Sequence, residues 1–147
     1  MPSVRLAGRS DTAVLARFRH ALWPDGPEAE HRAEVERFFE KRAPAAAVML
    51  AEDASGPLGF AELSIRPYAE GCDTDRVGFL EGWYVRPEAR RRGVGRELVA
   101  AGLAWARAQG CTEFASDSEA DNALGAAAHR ALGFEEVGLI RCFRKTL

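Results

Sequence analysis

The feature that most restricts the fold is the segment Arg86 to Arg96, where five arginines stand against one glutamate and Gly93 and Gly95 lie directly before the helical-spaced run Leu98, Val99, Leu103, Ala106. The apolar stretch Val77 to Val85 precedes it and Pro87 closes that stretch, so the order is strand, glycine loop, helix. Glycines let successive backbone N–H groups turn toward one anion, and the partial positive charge of a helix N-terminus adds to them. The segment reads as a seat for a pyrophosphate, with a solvated, arginine-rich loop and a glycine cap as the competing reading. Two common phosphate motifs do not fit: no Gly-Lys-Ser/Thr is present, and the dinucleotide fingerprint needs glycine where Leu98 stands. Glu113, placed like the ribose-binding acid of that fingerprint, loses this meaning with it.

The rest of the chain supplies a layered context. Ser3 to Leu6 reads as a strand, and Asp11 caps a helix carrying Val14, Leu15, Phe18 and Leu22 that ends at Pro24-Asp25-Gly26-Pro27. A second helix spans about Ala29 to Lys41 before Pro44, and the strands Ala47 to Glu52 and Leu58 to Ile65 flank the turn Asp53 to Pro57. After the glycine loop and its helix, which ends at Gly110, the pattern predicts a strand over Cys111 to Ala115. A helix capped by Asp121 or Asn122 then runs through Leu132, and a last strand covers Phe134 to Leu147. The expectation is one α/β (α+β) domain over residues 1–147, a mixed sheet with about four helices on its faces.

Composition excludes several classes. With 20 Lys+Arg, 22 Asp+Glu and a net charge of −2, the chain lacks the cationic excess of a nucleic-acid or polybasic membrane binder. Its longest apolar runs, Ala43 to Ala51 and Leu98 to Ala106, are about half of the ~20 residues a membrane helix needs. Cys72, Cys111 and Cys142 are an odd number without Cys-x-x-Cys spacing, and the N-terminus has no apolar signal core. Free thiols, no metal and a cytoplasmic location are expected.

Two anomalies mark a second site. Gly82 interrupts an apolar strand, which signals a bulge or a close ligand approach, and Glu81 beside it is a lone carboxylate that is costly to bury unless paired or functional. Between Cys111 and Asn122 stand Glu113, Asp117, Glu119 and Asp121 with no Lys or Arg, a stretch that attracts cations. Helix capping and solvation account for Asp121 and Glu119. Glu81 and Asp117 together suit a substrate with several ammonium groups, a polyamine or aminosugar.

The run Val85-Arg86-Pro87-Glu88-Ala89-Arg90-Arg91-Arg92-Gly93-Val94-Gly95 resembles the acetyl-CoA signature of the GNAT superfamily, and Asn122 with His129-Arg130-Ala131-Leu132-Gly133-Phe134 resembles its second cofactor motif. Leu80 to Val85, Cys111 to Asp117 and His129 to Glu136 resemble the chromosomal aminoglycoside 6'-N-acetyltransferases, and Leu22-Trp23-Pro24, Tyr68, Glu70-Gly71-Cys72 and Phe143-Arg144-Lys145 extend the likeness. The resemblance implies the GNAT fold, with the sheet splayed at its fourth strand, and direct transfer of acetyl to an aminoglycoside 6'-amine, giving resistance. It implies acetyl-CoA contacts at Trp83, Tyr84, Val85, Arg90, Arg91, Arg92, Gly93, Val94, Gly95, Arg96 and Asn122, and a homodimer. It casts Trp23, Tyr68, Glu81 and Asp117 as aminoglycoside contacts. Asp117, Glu81 and His129 are the catalytic candidates, His129 standing where many members carry a tyrosine that protonates the thiolate. Gly138 and Asp25-Gly26 depart from the pattern, where members often have an acidic residue and a histidine.

Two other functions use the same motifs: acetyl transfer to another amine, such as a polyamine, a metabolite or a protein N-terminus, and non-catalytic acyl-CoA sensing. A hydrolase built on Ser116 or Ser118, Asp117 and His129 lacks the Gly-x-Ser-x-Gly elbow.

Overall fold

Three consecutive segments are apolar on both faces, and these build the centre of the sheet. In the computed structural model, which describes residues 1–147, these are β2 (Ala46–Asp53), β3 (Gly56–Arg66) and β4 (Val77–Val85). β1 (Ser3–Leu6) lies outside β2 and β5 (Glu113–Ser116) outside β4, giving the order β1-β2-β3-β4-β5, antiparallel except for the parallel pair β4 and β5. The parallel pair requires a crossover, which α3 (Val94–Ala108) supplies.

Alternation along the strands divides the core between two faces. Ala47, Met49, Ala61, Leu63 and Leu80 point toward α3 and pack with its Val94, Leu98 and Val99. Val48, Leu50 and Phe60 point the other way, toward Leu15 and Phe18 of α1 (Thr12–Leu22) and Val35 and Phe39 of α2 (Glu28–Lys41). Phe60 is 0% exposed at the centre of that cluster, a burial worth roughly 1.5–3 kcal/mol. α4 (Ala123–Ala131) follows β5 and is capped by Asn122, whose Oδ1 accepts from Gly125 N at 2.9 Å.

α2 ends at Lys41 as expected, where Arg42 turns into the left-handed region (φ 45°). Three expectations shift. Asp11 lies at the start of α1 but does not cap it with its side chain; the carboxylate instead accepts from Gly8 N and from Arg5. Cys111 belongs to no strand, since its N–H bonds Ala106 O (3.0 Å) and finishes the wrap of α3. The largest change is at the C-terminus. Phe134 to Leu147 forms no strand and makes no backbone–backbone bond beyond Phe134, leaving Val137, Leu139, Ile140 and Phe143 exposed. The segment is apolar, but within one chain no strand edge pairs with it. No helix is long and apolar enough to cross a membrane.

Candidate active site

β4 is bulged, and its neighbours leave it at different points. Val77 to Leu80 pair with Arg66 to Leu63, and Gly82 to Val85 with Glu62 to Gly59, so Glu81 is the extra residue of a bulge. The glycine that signalled the bulge is its neighbour. On the other side β5 pairs only with Val77 to Leu80, ending at Leu80 opposite Ser116. From Glu81 to Val85 that edge of β4 has no strand partner, while Glu81 and Asp117 are the next residues on the two parting strands.

Because of the bulge, Glu81 and Gly82 face the same side, toward α1. A Cβ on Gly82 would lie 2.5 Å from Trp23 Cη2, so only glycine lets Trp23 lie across the strand here. Trp23 also receives the His31 Nε2 contact on its carbonyl (2.9 Å) and sits 5.0 Å beneath the Arg19 guanidinium. It covers the strand at Gly82 and packs edge-on against Phe60 of the core at once.

Glu81 is heavily engaged. Arg66 donates to both its oxygens, Nε at 2.8 Å and Nη2 at 2.5 Å, and the Ser64 hydroxyl donates to Oε2. Burial alone would push the Glu81 carboxyl up, but the bonds from Arg66 and Ser64 together hold it below the ordinary carboxylate value. Asp117, directly after β5, is exposed and makes no hydrogen bond; its charge reaches Arg66. Further along the face Arg19 pairs with both Glu62 and Glu34, and burial keeps the Glu62 carboxyl above its ordinary value despite that partner. A cavity of about 300 Å³ runs from Glu81 and Ser64 past Glu62 and Arg19 to Phe38.

Tyr68 lies 63% exposed on the loop after β3, its hydroxyl pKa raised by a hydrogen bond to Glu70. Glu113 is an anchor for that loop: it accepts from Asp73 N (3.0 Å), Thr74 N (2.7 Å) and the Thr74 hydroxyl (2.6 Å). Gly26 (φ +92°) lies in the turn between α1 and α2, and Gly138 in the exposed C-terminal segment.

The opposite face of β4 carries the glycine loop. Arg91 and Gly93 take left-handed backbone (φ 62° and 81°), and Gly93 caps α3. A Cβ on Gly93 would meet nothing within 4 Å, so its conformation, not crowding, calls for glycine. Arg90 Nε donates to Val85 O (2.8 Å), Arg92 reaches Asp53 (3.5 Å), and Arg91 and Arg96 have no side-chain partner. Gly95 lets the start of α3 approach Trp83, whose buried Nε1 has no hydrogen-bond partner. Tyr84 faces the other way, packed on Phe18 and Phe60, so only its backbone belongs to this side.

His129 stands edge-on to Trp83 and Phe134, at 5.6 and 5.2 Å between ring centroids. Its Nδ1 contacts Gly125 O (2.6 Å) and its Nε2 contacts Ser116 Oγ (2.8 Å). A carbonyl can only accept, so Nδ1 carries the proton and, in the neutral ring, Nε2 accepts from Ser116. Both nitrogens are occupied by the protein. No carboxylate orients this imidazole, as a Ser-His-Asp hydrolase would require.

Residues 15–134 match the acetyltransferase (GNAT) family. The chain belongs to this family. It is 53% identical to the aminoglycoside N(6')-acetyltransferase type 1 of Klebsiella aerogenes, over 99% of this chain and 97% of that protein. It is 44% identical to the protein of the same name from Stenotrophomonas maltophilia, over 99% and 94%. The solved structure of AAC(6')-Iy with the bisubstrate analog CoA-S-monomethyl-acetylneamine superposes with a TM-score of 0.93 at 36% identity, covering 100% of this chain and 99% of that one.

The residues of this GNAT chain fit acetyl-CoA. The edge of β4 from Glu81 to Val85 carries backbone groups with no strand partner, the space over Gly93 is open, and the unpartnered Trp83 Nε1 faces the start of α3. Sequence reasoning missed Arg66, Ser64 and the Arg19–Glu62 pair. The polar alternation Glu62, Ser64, Arg66 within an otherwise apolar strand was the available signal.

Proposed function

We propose that the chain is an aminoglycoside 6'-N-acetyltransferase, one domain over its whole length, that moves acetyl from acetyl-CoA directly onto a bound amine and so confers resistance. The observation that carries this reading is the adjacency of Glu81 and Asp117 at the point where β4 parts from β5, beside an open backbone edge and a cationic helix start. The names of the relatives supply the amine.

In this reading Arg90 to Arg96 and the N–H groups of Gly93, Val94 and Gly95 hold the pyrophosphate, and Trp83, Tyr84 and Val85 hold pantetheine through their backbone. The Asn122 side-chain amide, its oxygen committed to the cap, turns its N–H toward the cofactor. Trp23 and Tyr68 flank the sugar, while Glu81 and Asp117 orient its ammonium groups. The neutral amine attacks the thioester carbon, whose oxygen gains charge against N–H donors of the open β4 edge. The C–N bond forms, the C–S bond breaks, and the amine proton passes to Asp117, directly or through water. Asp117 is the unpaired carboxylate, whereas Glu81 is engaged by Arg66 and Ser64. The thiolate takes its proton from the Ser116 hydroxyl, and the imidazolium form of His129 replaces it through Nε2–H, leaving the neutral ring to regain a proton from solvent.

Two copies associate through their C-terminal segments. The exposed apolar residues Val137, Leu139, Ile140 and Phe143 and the free edge of β5 support this, and a monomer by sedimentation at micromolar concentration overturns it. The enzyme works in the cytoplasm, where acetyl-CoA is supplied and the three free thiols stay reduced.

The test is a panel of aminoglycosides and linear polyamines assayed for release of CoA thiol. Turnover on aminoglycosides supports the reading, turnover on polyamines alone assigns another amine, and no turnover leaves an acyl-CoA sensor.

A further inference from the structure

The anionic half of the site carries its own cation. Three of the roughly four lone-pair positions of the Glu81 carboxylate are taken, two by Arg66 and one by Ser64, so an arriving ammonium finds little of Glu81 free. The Arg66 guanidinium lies 3.5 Å over the Phe79 ring, within reach of the Asp117 charge.

We propose that Arg66 is a specificity-determining residue that holds the place of the substrate's ammonium: its guanidinium fills the position between Glu81 and Asp117, and a docking ammonium takes that position by exchange. This rests on the acetyl-transfer reading above.

Exposure decides which internal ion pair can exchange. The Arg66 and Glu81 side chains are 41% and 30% exposed, so the guanidinium can swing into water without leaving a buried charge behind. Arg19 and Glu62, at 13% and 19%, have no such exit, and separating them would strand both charges. The exchange also sets a threshold. A monoamine that displaces Arg66 gains one ion pair and loses another, with no net return. A substrate whose further ammonium groups reach Asp117 keeps a surplus, so the device favours polycations.

The experiment compares the wild type with Arg66→Met, which keeps an unbranched apolar stem over Phe79 and removes the charge, using neamine as the amine. The KM for neamine is expected to fall about fivefold, the equivalent of losing one half-exposed competing ion pair, with kcat and the KM for acetyl-CoA held. The neamine KM should also rise more steeply with salt in the variant, because binding then forms an ion pair without breaking one. An Arg66 that merely props Glu81 in place predicts the reverse, a raised neamine KM and no steeper salt dependence, and that result overturns the proposal. If Arg66→Met fails to fold, the wild type decides by the Arg66 Nε–H resonance. Saturating neamine should move it to the shift and exchange rate of a solvent-exposed guanidinium, and an unmoved resonance with neamine bound overturns the proposal. A wild type that turns over no amine removes the acetyl-transfer reading and this one together; one that acetylates neamine while the variant loses affinity removes this one alone.

Discussion

In the proposed reading the two faces of β4 seat opposite charges by opposite means. On the α3 face the seat is backbone: left-handed turns at Arg91 and Gly93 and the first N–H groups of a helix, with Arg91 and Arg96 free of partners. On the α1 face it is side chain: Glu34 and Glu62 share Arg19, Glu81 holds Arg66, and Asp117 alone is unpaired. A backbone seat exists before its ligand and no rotamer change can cancel it, whereas a side-chain seat neutralises itself until a competitor arrives. Cofactor binding should therefore respond to changes in conformation, and amine binding to changes in charge.

The strongest test of that contrast is Gly93→Asp. The new side chain meets open space, so the fold should survive, but φ of 81° costs an L-residue roughly 1–2 kcal/mol and the carboxylate stands where the proposed reading seats the phosphate. We expect the apparent KM for acetyl-CoA to rise on the order of 100-fold, by strain and charge repulsion together, with the amine KM nearly unchanged. Equal damage to both in steady-state kinetics would break the division between the faces.

Asp117→Asn removes one charge from the other face while keeping size. If Asp117 takes up the amine proton, kcat should fall roughly 100-fold with acetyl-CoA binding intact, and raising the pH should restore part of it by deprotonating the amine in solution. A rise in amine KM at constant kcat would instead assign Asp117 to binding alone.

Glu81→Gln should have a smaller effect, because Arg66 already offsets that charge. Its clearest signal is stability. The Glu81 carboxyl is held below its ordinary value, so the ionised form favours the folded state above about pH 4.3, and this contribution is lost as pH falls through the lower folded value. Denaturation curves should show a loss of about 0.5–1 kcal/mol near pH 7, discounted for the half-exposed partner, that disappears in acid. Constant destabilisation at every pH would mean that packing, not charge, holds the bulge.

The smallest effect is expected from replacing Cys72, Cys111 and Cys142 by Ser. Direct transfer needs no acyl-cysteine, so turnover should persist, with a modest fall in Tm from Cys111, which is 6% exposed. Lost turnover in a folded variant would replace the direct route by a covalent one.

How much of this was legible in the residues depends on how local the cause is. The bounds of β4, Val77 to Val85, follow from an apolar run closed by Pro87, and the glycine loop follows from a dozen consecutive residues. The bulge was signalled by Gly82, though the extra residue is Glu81, because the glycine serves the approach of Trp23 and the pairing mismatch falls one place earlier. Arg66 was not legible: its partner is fifteen positions away, and only the register of β3 on β4 brings them together. Phe134 to Leu147 failed for the complementary reason. An apolar stretch marks a segment that can be buried, but a strand also needs a neighbouring edge, and the stretch does not say whose edge that is.

The bulge at Glu81 also constrains how a chain of this kind can change length. One additional residue in β4 shifts the phase of everything after it, which is why Trp83 and Val85 share the α3 face with Leu80, whereas Tyr84 shares the α1 face with Gly82. Deleting Glu81 would return β4 to one-to-one pairing with β3: Leu80 and Gly82 would follow one another opposite Leu63 and Glu62, so Trp83 would stay on the α3 face and Tyr84 on the α1 face. What the strand would lose is a carboxylate and a local kink, not the assignment of its faces. The bulge therefore adds a residue to the α1 side without disturbing what either face presents, so a residue gained or lost at this point is the one change in strand length that the two faces absorb.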